Sequence, residues 1–221
     1  MRKLSRIRDG GIPTAFIGEH RKSQLLKLVK AERDIKNGLL NKHKFPSTWS
    51  PCKTQLHKES DSKCAYCESP TTVVSYGDVE HYRPKSKYWW LAYCYDNYLA
   101  SCTLCNQKYK KAKFKTLHPK IQGPQIKKNN TDTHLKNIVA TITPDPIQET
   151  DGVSWNEYIQ QHNDERPLLL NPYIDDPKNF FAWEVKPEDE SVVLVPLDNQ
   201  NVLHVRIVKA SEEDYGINRP E

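Results

Sequence analysis

The sequence predicts an α+β protein built around a small strand–strand–helix unit that two pairs of cysteines enclose. The pairs Cys64-x-x-Cys67 and Cys102-x-x-Cys105 have the spacing at which two thiolates can reach one metal ion. The 34 residues between the pairs contain two strand-like segments, and a helix-like segment begins within the second pair. A helical pattern precedes this unit, and a hairpin-like pattern follows it.

The chain of 221 residues divides into three predicted segments. Residues 1–63 form an N-terminal helical extension, because apolar residues recur at roughly helical spacing within residues 14–40, with Thr14 as candidate N-cap. Residues 64–120 form the cysteine-enclosed core. Residues 121–221 form a C-terminal extension with short strands, which we expect to contact a partner.

Within the core, short runs of strand-forming residues predict strands at residues 79–82 and 97–100. A turn at residues 76–78 precedes the first strand. Residues 103–114 read as a helix with lysines on its exposed faces. Two strands and a helix are sufficient to aim a few side chains at one phosphate group.

The C-terminal extension begins with a polar stretch, residues 121–165, where we expect one short strand near residues 138–142. Further strands are predicted at residues 192–197 and 202–208. Residues 198–201, Asp-Asn-Gln-Asn, have the composition of the hairpin turn that would join them. The core is therefore predicted to be wrapped by helices on one side and by a hairpin region on the other.

Composition indicates a cytoplasmic protein. The basic N-terminus is not followed by an apolar core, and no run of about 18 apolar residues occurs, so neither a signal peptide nor a membrane contact is expected. In the cytoplasm, paired cysteines favour a metal over disulfides. The alternative is that all four are buried small hydrophobes, but the doubled spacing favours a closed structural zinc site. Cys52 and Cys94 lie outside the pairs and read as ordinary buried thiols.

Positive charge is concentrated on the core. The net charge of the chain is +5, and residues 81–120 contain nine Lys or Arg against the single acid Asp96. This excess permits a nucleic-acid partner. The lysines between residues 108 and 115 could instead form a solvated helix face, and we favour contact with phosphates. The cations predicted to contact phosphates are Arg83, Lys85, Lys108, Lys110 and Lys111.

The enclosed unit contains the groups that phosphodiester hydrolysis needs. That reaction needs a base to activate water, a cation on the scissile phosphate, and positive charge along the backbone. His81 can be the base, because a neutral imidazole accepts a proton near pH 7. Glu80 and Asn106 offer the hard oxygens that Mg²⁺ or Mn²⁺ prefers, and Asn97 can fix the loop that carries the base.

These residues carry a resemblance. Glu80-His81-Tyr82-x-Pro84-Lys85, Asn97, and Cys102-x-x-Cys105-Asn106 resemble the HNH endonuclease motif on a ββα-metal finger, whose long Cys-x-x-Cys version carries a structural zinc. The resemblance implies that Glu80 and Asn106 bind the catalytic metal, that His81 is the general base and that Asn97 orients it. Glu80 replaces the commoner Asp, and Asn106 replaces a common His.

Two further sequence elements indicate a particular family among the HNH endonucleases. Residues 88–93, Tyr-Trp-Trp-Leu-Ala-Tyr, and residues 169–172, Leu-Leu-Asn-Pro, are similar to the PtuB family, the HNH subunits of Septu antiphage systems that are also found beside some retrons. This resemblance implies an ATPase partner of the PtuA type, a nucleic-acid substrate and, for retron relatives, a complex of reverse transcriptase with its ncRNA and msDNA. The chain has no P-loop pattern of its own, so nucleotide control would come from the partner.

The sequence therefore predicts an HNH endonuclease subunit for antiphage defence that hydrolyses DNA with a divalent metal under the control of an ATPase. Two alternatives stay open. The substrate can be RNA, for example tRNA, because nothing in the motif reads a 2′-hydroxyl. The unit can also be a non-catalytic zinc module that docks nucleic acid or an ATPase, although the intact set of Glu80, His81 and Asn106 argues against it.

Overall fold

The structure is a computed structural model that describes residues 1–71 and 77–219. Its helices are α1 (Gly18–Lys36), α2 (Lys53–Glu59), α3 (Asp132–Val139), α4 (Trp155–Glu165) and α5 (Val202–Tyr215). Its strands are β1 (Asp78–His81), β2 (Tyr98–Ser101), β3 (Phe181–Lys186) and β4 (Ser191–Pro196). β1 pairs antiparallel with β2, and β3 pairs antiparallel with β4. This mixture of helices and small antiparallel sheets agrees with the α+β class.

The first sheet lies where the sequence predicted it. β1 and β2 each begin and end within one residue of the predicted strands, and His81 faces Tyr98 across the pair. Tyr76, at the start of the predicted turn, lies outside the described residues.

A π-helix, Leu104–Lys110, follows β2. The amide of Lys111 donates to the Asn106 carbonyl at 2.7 Å, five residues back. The predicted helix over residues 103–114 is therefore too long. It stops at Lys110 because Lys111 turns the backbone to a positive φ of 50°.

α1 confirms the helical prediction for the N-terminal extension, but Thr14 is not its cap. Thr14 lies in a separate 3-10 turn, and α1 begins at Gly18. The first amide of α1, Gly18 N–H, donates to the carboxylate of Asp145 at 2.5 Å. The cap therefore comes from a residue far away in sequence, which local patterns do not reveal.

The predicted C-terminal hairpin is wrong in its second strand. Residues 202–208 belong to α5, and β4 pairs instead with β3, which the sequence analysis did not predict. The side-chain oxygen of Asn201 accepts hydrogen bonds from the amides of Leu203 and His204 at 3.0 and 3.4 Å. Asn201 thus caps a helix rather than closing a hairpin turn.

The polar middle of the chain contains helices that the analysis also missed. The strand expected near residues 138–142 is wrong, because Ile138 lies in α3. α4 begins with a capping box in which Ser154 and Glu157 exchange hydrogen bonds, Glu157 N–H to Ser154 Oγ at 3.2 Å and Ser154 N–H to Glu157 Oε2 at 2.8 Å. The Ser-x-x-Glu signal was present in the sequence and would have located α4.

Two groups of buried apolar residues surround the first sheet. One group joins the cysteine-enclosed unit to α5 and the second sheet, and the other joins β2 to α1, α2 and α3. The buried Arg6 guanidinium fastens the N-terminal segment to this centre. It donates to Glu59 at 2.8 Å and to the Tyr98 carbonyl at 2.7 Å, and it lies 3.5 Å from the ring centroid of Tyr173. Arg6 therefore links the N-terminal segment to Tyr98, the residue opposite His81 in the strand pair.

Within residues 1–71 and 77–219, no helix combines the length and the apolar character needed to cross a membrane.

Candidate functional site

The four predicted cysteines come together in one cluster. The sulfurs of Cys64, Cys67, Cys102 and Cys105 all lie within 4.8 Å of one another, and those of Cys67 and Cys102 are 3.8 Å apart. A tetrahedral zinc with Zn–S bonds of about 2.3 Å separates its sulfurs by about 3.8 Å. The cluster can therefore bind a metal such as zinc.

Backbone hydrogen bonds shape both halves of the cluster. The Glu68 amide donates to the Cys64 carbonyl at 2.9 Å, and Glu68 has a φ of 61°, so the chain turns back after Cys67. In the other half, the amide of Cys105 donates to Cys102 Sγ at 3.4 Å. A metal held by all four sulfurs would fix the start of the π-helix, in which Asn106 directly follows Cys105.

His81 is buried at the end of β1 with a defined orientation. Its Nε2 lies 3.0 Å from the Ala92 carbonyl, and Trp49 and Tyr98 pack against its ring edge-on at centroid distances of 4.7 and 5.0 Å. Burial, helped by the nearby Lys85, lowers the pKa of His81 to about 3, so the ring is neutral at pH 7. With Nε2 donating to Ala92, Nδ1 is the nitrogen that can accept a proton.

Asn97 holds the segment that follows His81. Its side-chain oxygen accepts from the Arg83 amide at 2.8 Å, and its nitrogen donates to the Arg83 and Leu91 carbonyls at 2.9 and 3.3 Å. The Asn97 carbonyl also accepts from the Tyr82 amide at 2.9 Å. One buried amide thus ties the start of β2 to the loop beyond β1.

Glu80 forms a buried ion pair with Lys110 of the π-helix. Lys110 also donates to the His81 carbonyl at 2.9 Å and has no exposed surface. Burial raises the pKa of Glu80, and the positive charge of Lys110 opposes that shift. Lys110 is therefore an internal partner of Glu80, and its predicted contact with nucleic acid is corrected, since a phosphate cannot reach it here.

The prediction that Arg83 contacts phosphates is also corrected, because Arg83 lies in the protein interior. Its Nε donates to Glu165 at 2.7 Å, and Tyr88 donates to the same carboxylate at 2.6 Å. The guanidinium is fully buried, with the ring of Tyr158 at 5.0 Å. A buried charge needs its partner, so Arg83 cannot leave Glu165 for a phosphate without a large cost.

One open cavity of about 560 Å³ is lined by three of the four predicted catalytic and metal-binding residues, and the buried Asn97 is not part of its wall. Its wall includes Glu80, His81 and Asn106, and it also includes Lys85 and Lys111 from the predicted set of cations. Lys108 is exposed beyond the cavity wall.

The cavity wall also contains residues that the sequence analysis did not assign to the site, among them Trp49, Lys53 and Asp78. Trp49 and Lys53 come from the N-terminal extension, where no local pattern marks them. Asp78 was assigned to the predicted turn, but the observed β1 begins with it, two residues before Glu80 and on the same face.

Asp78 contacts the π-helix through two side chains. Its Oδ2 accepts from Asn106 Nδ2 at 3.1 Å and from Gln107 Nε2 at 3.0 Å. The carboxylates of Asp78 and Glu80 and the amide of Asn106 are hard oxygen donors on one side of an open cavity. This donor set fits Mg²⁺ or Mn²⁺ and does not resemble a thiolate site.

Comparison with curated proteins shows similarity to a Septu protein. Over an alignment of 75 positions, the chain is 40% identical to the Septu protein PtuB of Bacillus mycoides (strain KBAB4). The match covers 28% of this chain and 25% of that protein, so the chain spans about a quarter of the length of this relative. No family model and no solved structure matches the chain. Over this limited segment, the chain is similar to a Septu protein PtuB.

Proposed function

We propose that the chain is a metal-dependent HNH endonuclease subunit that hydrolyses phosphodiester bonds of DNA. The observation that carries the proposal is the convergence of Glu80, His81 and Asn106 on one open cavity beside a four-cysteine cluster. The antiparallel pair of β1 and β2 followed by a helix supports the ββα-metal arrangement. A non-catalytic zinc module would have no need to bring these three groups together.

In this proposal His81 is the general base. The Ala92 carbonyl holds Nε2, so Nδ1 accepts a proton from a water molecule in the cavity. Trp49 and Tyr98 keep the ring in place, and Asn97 fixes the segment that follows it. Burial keeps the ring neutral at pH 7, so Nδ1 carries a lone pair.

Glu80 and Asn106 would hold a divalent cation against the cavity wall. A bound Mg²⁺ or Mn²⁺ supplies positive charge to the scissile phosphate and its leaving oxygen. Lys85 and Lys53 line the same cavity and would attract the phosphate backbone. The four cysteines would hold zinc as a structural ion.

The direct test is a cleavage assay with and without Mg²⁺ on duplex DNA, single-stranded DNA and tRNA. The proposal expects cleavage of DNA that EDTA abolishes and added Mg²⁺ or Mn²⁺ restores. Cleavage of tRNA alone would favour the RNA alternative, and no cleavage of any substrate with the partner present would favour a docking module.

The surface cations of the predicted set give a separate test of nucleic-acid binding. Replacing Lys85, Lys108 and Lys111 together with alanine should weaken binding to all sequences alike. The slope of log affinity against log salt concentration should fall by about 0.9 for each lost contact with duplex DNA. Binding is measured in a His81→Ala background to prevent cleavage.

The control removes Lys113 and Lys115, which follow the same π-helix but face α5. Lys113 donates to the Glu213 carbonyl at 2.7 Å, and Lys115 pairs with the Glu213 carboxylate at 2.6 Å. Their replacement should leave the salt slope unchanged. A slope that is the same in wild type and in the first variant would place those three lysines outside the nucleic-acid interface.

We also propose that the chain works with an ATPase of the PtuA type in a defence system. The similarity to a Septu protein PtuB supports this. The second sheet offers a surface for such a partner, because Trp183, Val185 and Val192 are exposed on one face, with Trp183 57% exposed. A retron reverse transcriptase with its ncRNA and msDNA is a further partner that the resemblance raises.

Co-expression with the ATPase and size-exclusion chromatography test the partnership. Wild type should co-elute with the ATPase, and a Trp183→Glu, Val185→Asp variant should not, because charge on this face opposes apolar docking. The control is Leu39→Asp, at an exposed apolar residue after α1. If the Trp183→Glu, Val185→Asp variant co-elutes as wild type does, the partner surface does not include this face of the second sheet.

A further inference from the structure

We propose that Asp78 is a direct ligand of the catalytic divalent cation, in addition to Glu80 and Asn106. The inference rests on the proposed function, because it assigns a ligand to the metal of that site. It concerns a residue outside the Glu80-His81 motif, and it follows from contacts and charges in the cavity.

The strand geometry places Asp78 beside the other donors. Residues two apart in a strand project from the same face, so Asp78 and Glu80 point together toward the π-helix. Their contacts agree, because Asp78 reaches Asn106 and Gln107 while Glu80 reaches Lys110. Both carboxylates and Asn106 line the same cavity.

Hydrogen bonding sets the orientation of the Asn106 amide. An ionised carboxylate only accepts hydrogen bonds, so Asn106 must present its NH₂ group to Asp78. Its carbonyl oxygen is then available for a cation. Both contacts use Oδ2 of Asp78, which leaves Oδ1 of Asp78 as a second available oxygen. Asp78 therefore both orients one ligand and offers another.

Charge balance supports the same assignment. Lys110 neutralises Glu80 in a buried pair, in which only Glu80 reaches the cavity wall. Among residues 1–71 and 77–219, Asp78 forms no ion pair with any cationic side chain, and its side chain is partly exposed. Asp78 is thus the carboxylate whose negative charge remains for a divalent cation. A site of Glu80 and Asn106 alone would offer that cation little net charge, because Lys110 cancels the charge of Glu80.

The test measures the Mn²⁺ affinity of the 221-residue chain loaded with zinc, using the electron paramagnetic resonance signal of free Mn²⁺. Asp78→Asn removes the charge but keeps an oxygen that can accept from Asn106 and Gln107. We expect this variant to bind Mn²⁺ at least tenfold more weakly than wild type, with an unchanged melting temperature. Gln107→Ala removes a donor to the same oxygen without touching a ligand, and it should bind Mn²⁺ as wild type does.

The outcomes separate this inference from the proposed function. Equal Mn²⁺ affinity in wild type and Asp78→Asn, with Mg²⁺-dependent cleavage retained, overturns the assignment of Asp78 and leaves the nuclease proposal standing. An equal loss of affinity in Gln107→Ala and Asp78→Asn also overturns it, because Asp78 would then act only by positioning the π-helix. A wild-type chain that binds no Mn²⁺ overturns both.

Discussion

Replacing His81 with alanine should abolish phosphodiester cleavage and leave nucleic-acid binding largely intact. A general base acts on the chemical step, and its loss typically costs a factor of about 10² to 10⁴ in rate. In the proposed function, binding depends instead on cations of the cavity wall such as Lys85 and Lys111, which the substitution does not remove. Single-turnover cleavage and equilibrium binding of the same DNA measure the two effects separately.

A second histidine variant controls for the loss of a buried ring. His162 is also buried, and its Nε2 lies 3.1 Å from both carboxylate oxygens of Asp175, away from the candidate catalytic cavity. His162→Ala should lower the melting temperature and keep the cleavage rate of the folded fraction. His81→Ala should instead abolish cleavage by the folded fraction. Cleavage by His81→Ala at the wild-type rate would rule out the proposed base.

Replacing Asn106 with alanine should also reduce cleavage, through the metal rather than the base. The substitution removes one oxygen ligand and leaves those of Asp78 and Glu80, so excess Mn²⁺ should restore part of the rate. His81→Ala should not respond to added metal, because the missing group accepts a proton. A rescue of both variants by Mn²⁺ would contradict this division of roles.

Features of the fold that depend on nearby residues could be predicted from the sequence. The cysteine cluster follows from two local spacings, and β1 and β2 follow from short runs of strand-forming residues. α5 shows where such runs mislead, because residues 202–208 are consistent with a strand as well as a helix. Tertiary packing decides between them, since Ile207 and Val208 are buried on the side of α5 that faces the core.

The location of buried charges could not be predicted in this way. Arg83 and Lys110 looked like phosphate contacts because they belong to a basic stretch. Glu165, the partner of Arg83, lies 82 residues away in sequence, and Lys110 meets Glu80 only after the π-helix packs on β1. Charge density along a sequence therefore indicates a basic region without showing which of its cations face solvent.

The same limit applies to the cavity wall. Trp49 packs against His81, and its ring centroid lies 4.9 Å from Lys85 Nζ. It nevertheless belongs to the N-terminal extension. Only folding brings that segment over the enclosed unit. The HNH-like motif grouped Glu80, His81 and Asn106, which line one cavity, but it gave no indication of Trp49.

Replacing Cys102 with serine should remove the structural zinc and destabilise the enclosed unit. Wild type should contain about one equivalent of zinc, and the variant should contain much less, because three thiolates bind zinc far more weakly than four. Apparent binding free energies of structural zinc reach about 10 to 16 kcal/mol in small zinc-binding peptides. Such an energy is comparable with the whole stability of a domain, so a large fall in melting temperature is expected.

Cys94→Ser provides the matched control. Cys94 is a buried free cysteine outside the cluster, so its replacement should cost stability but keep one equivalent of zinc. Metal analysis of both purified variants separates loss of a ligand from loss of a buried thiol. Full zinc occupancy in Cys102→Ser would show that the four sulfurs are not the ligands.

Loss of zinc should also disturb the positions of the candidate catalytic groups. Asn106 directly follows Cys105, and its own amide donates to the Cys102 carbonyl at 3.0 Å. Without zinc at the start of the π-helix, Asn106 and Lys110 lose the anchor that sets their positions against Asp78 and Glu80. Cys102→Ser should therefore weaken Mn²⁺ binding although every proposed Mn²⁺ ligand is still present. Unchanged Mn²⁺ affinity in zinc-free, folded protein would mean that the cavity assembles without the cysteine cluster.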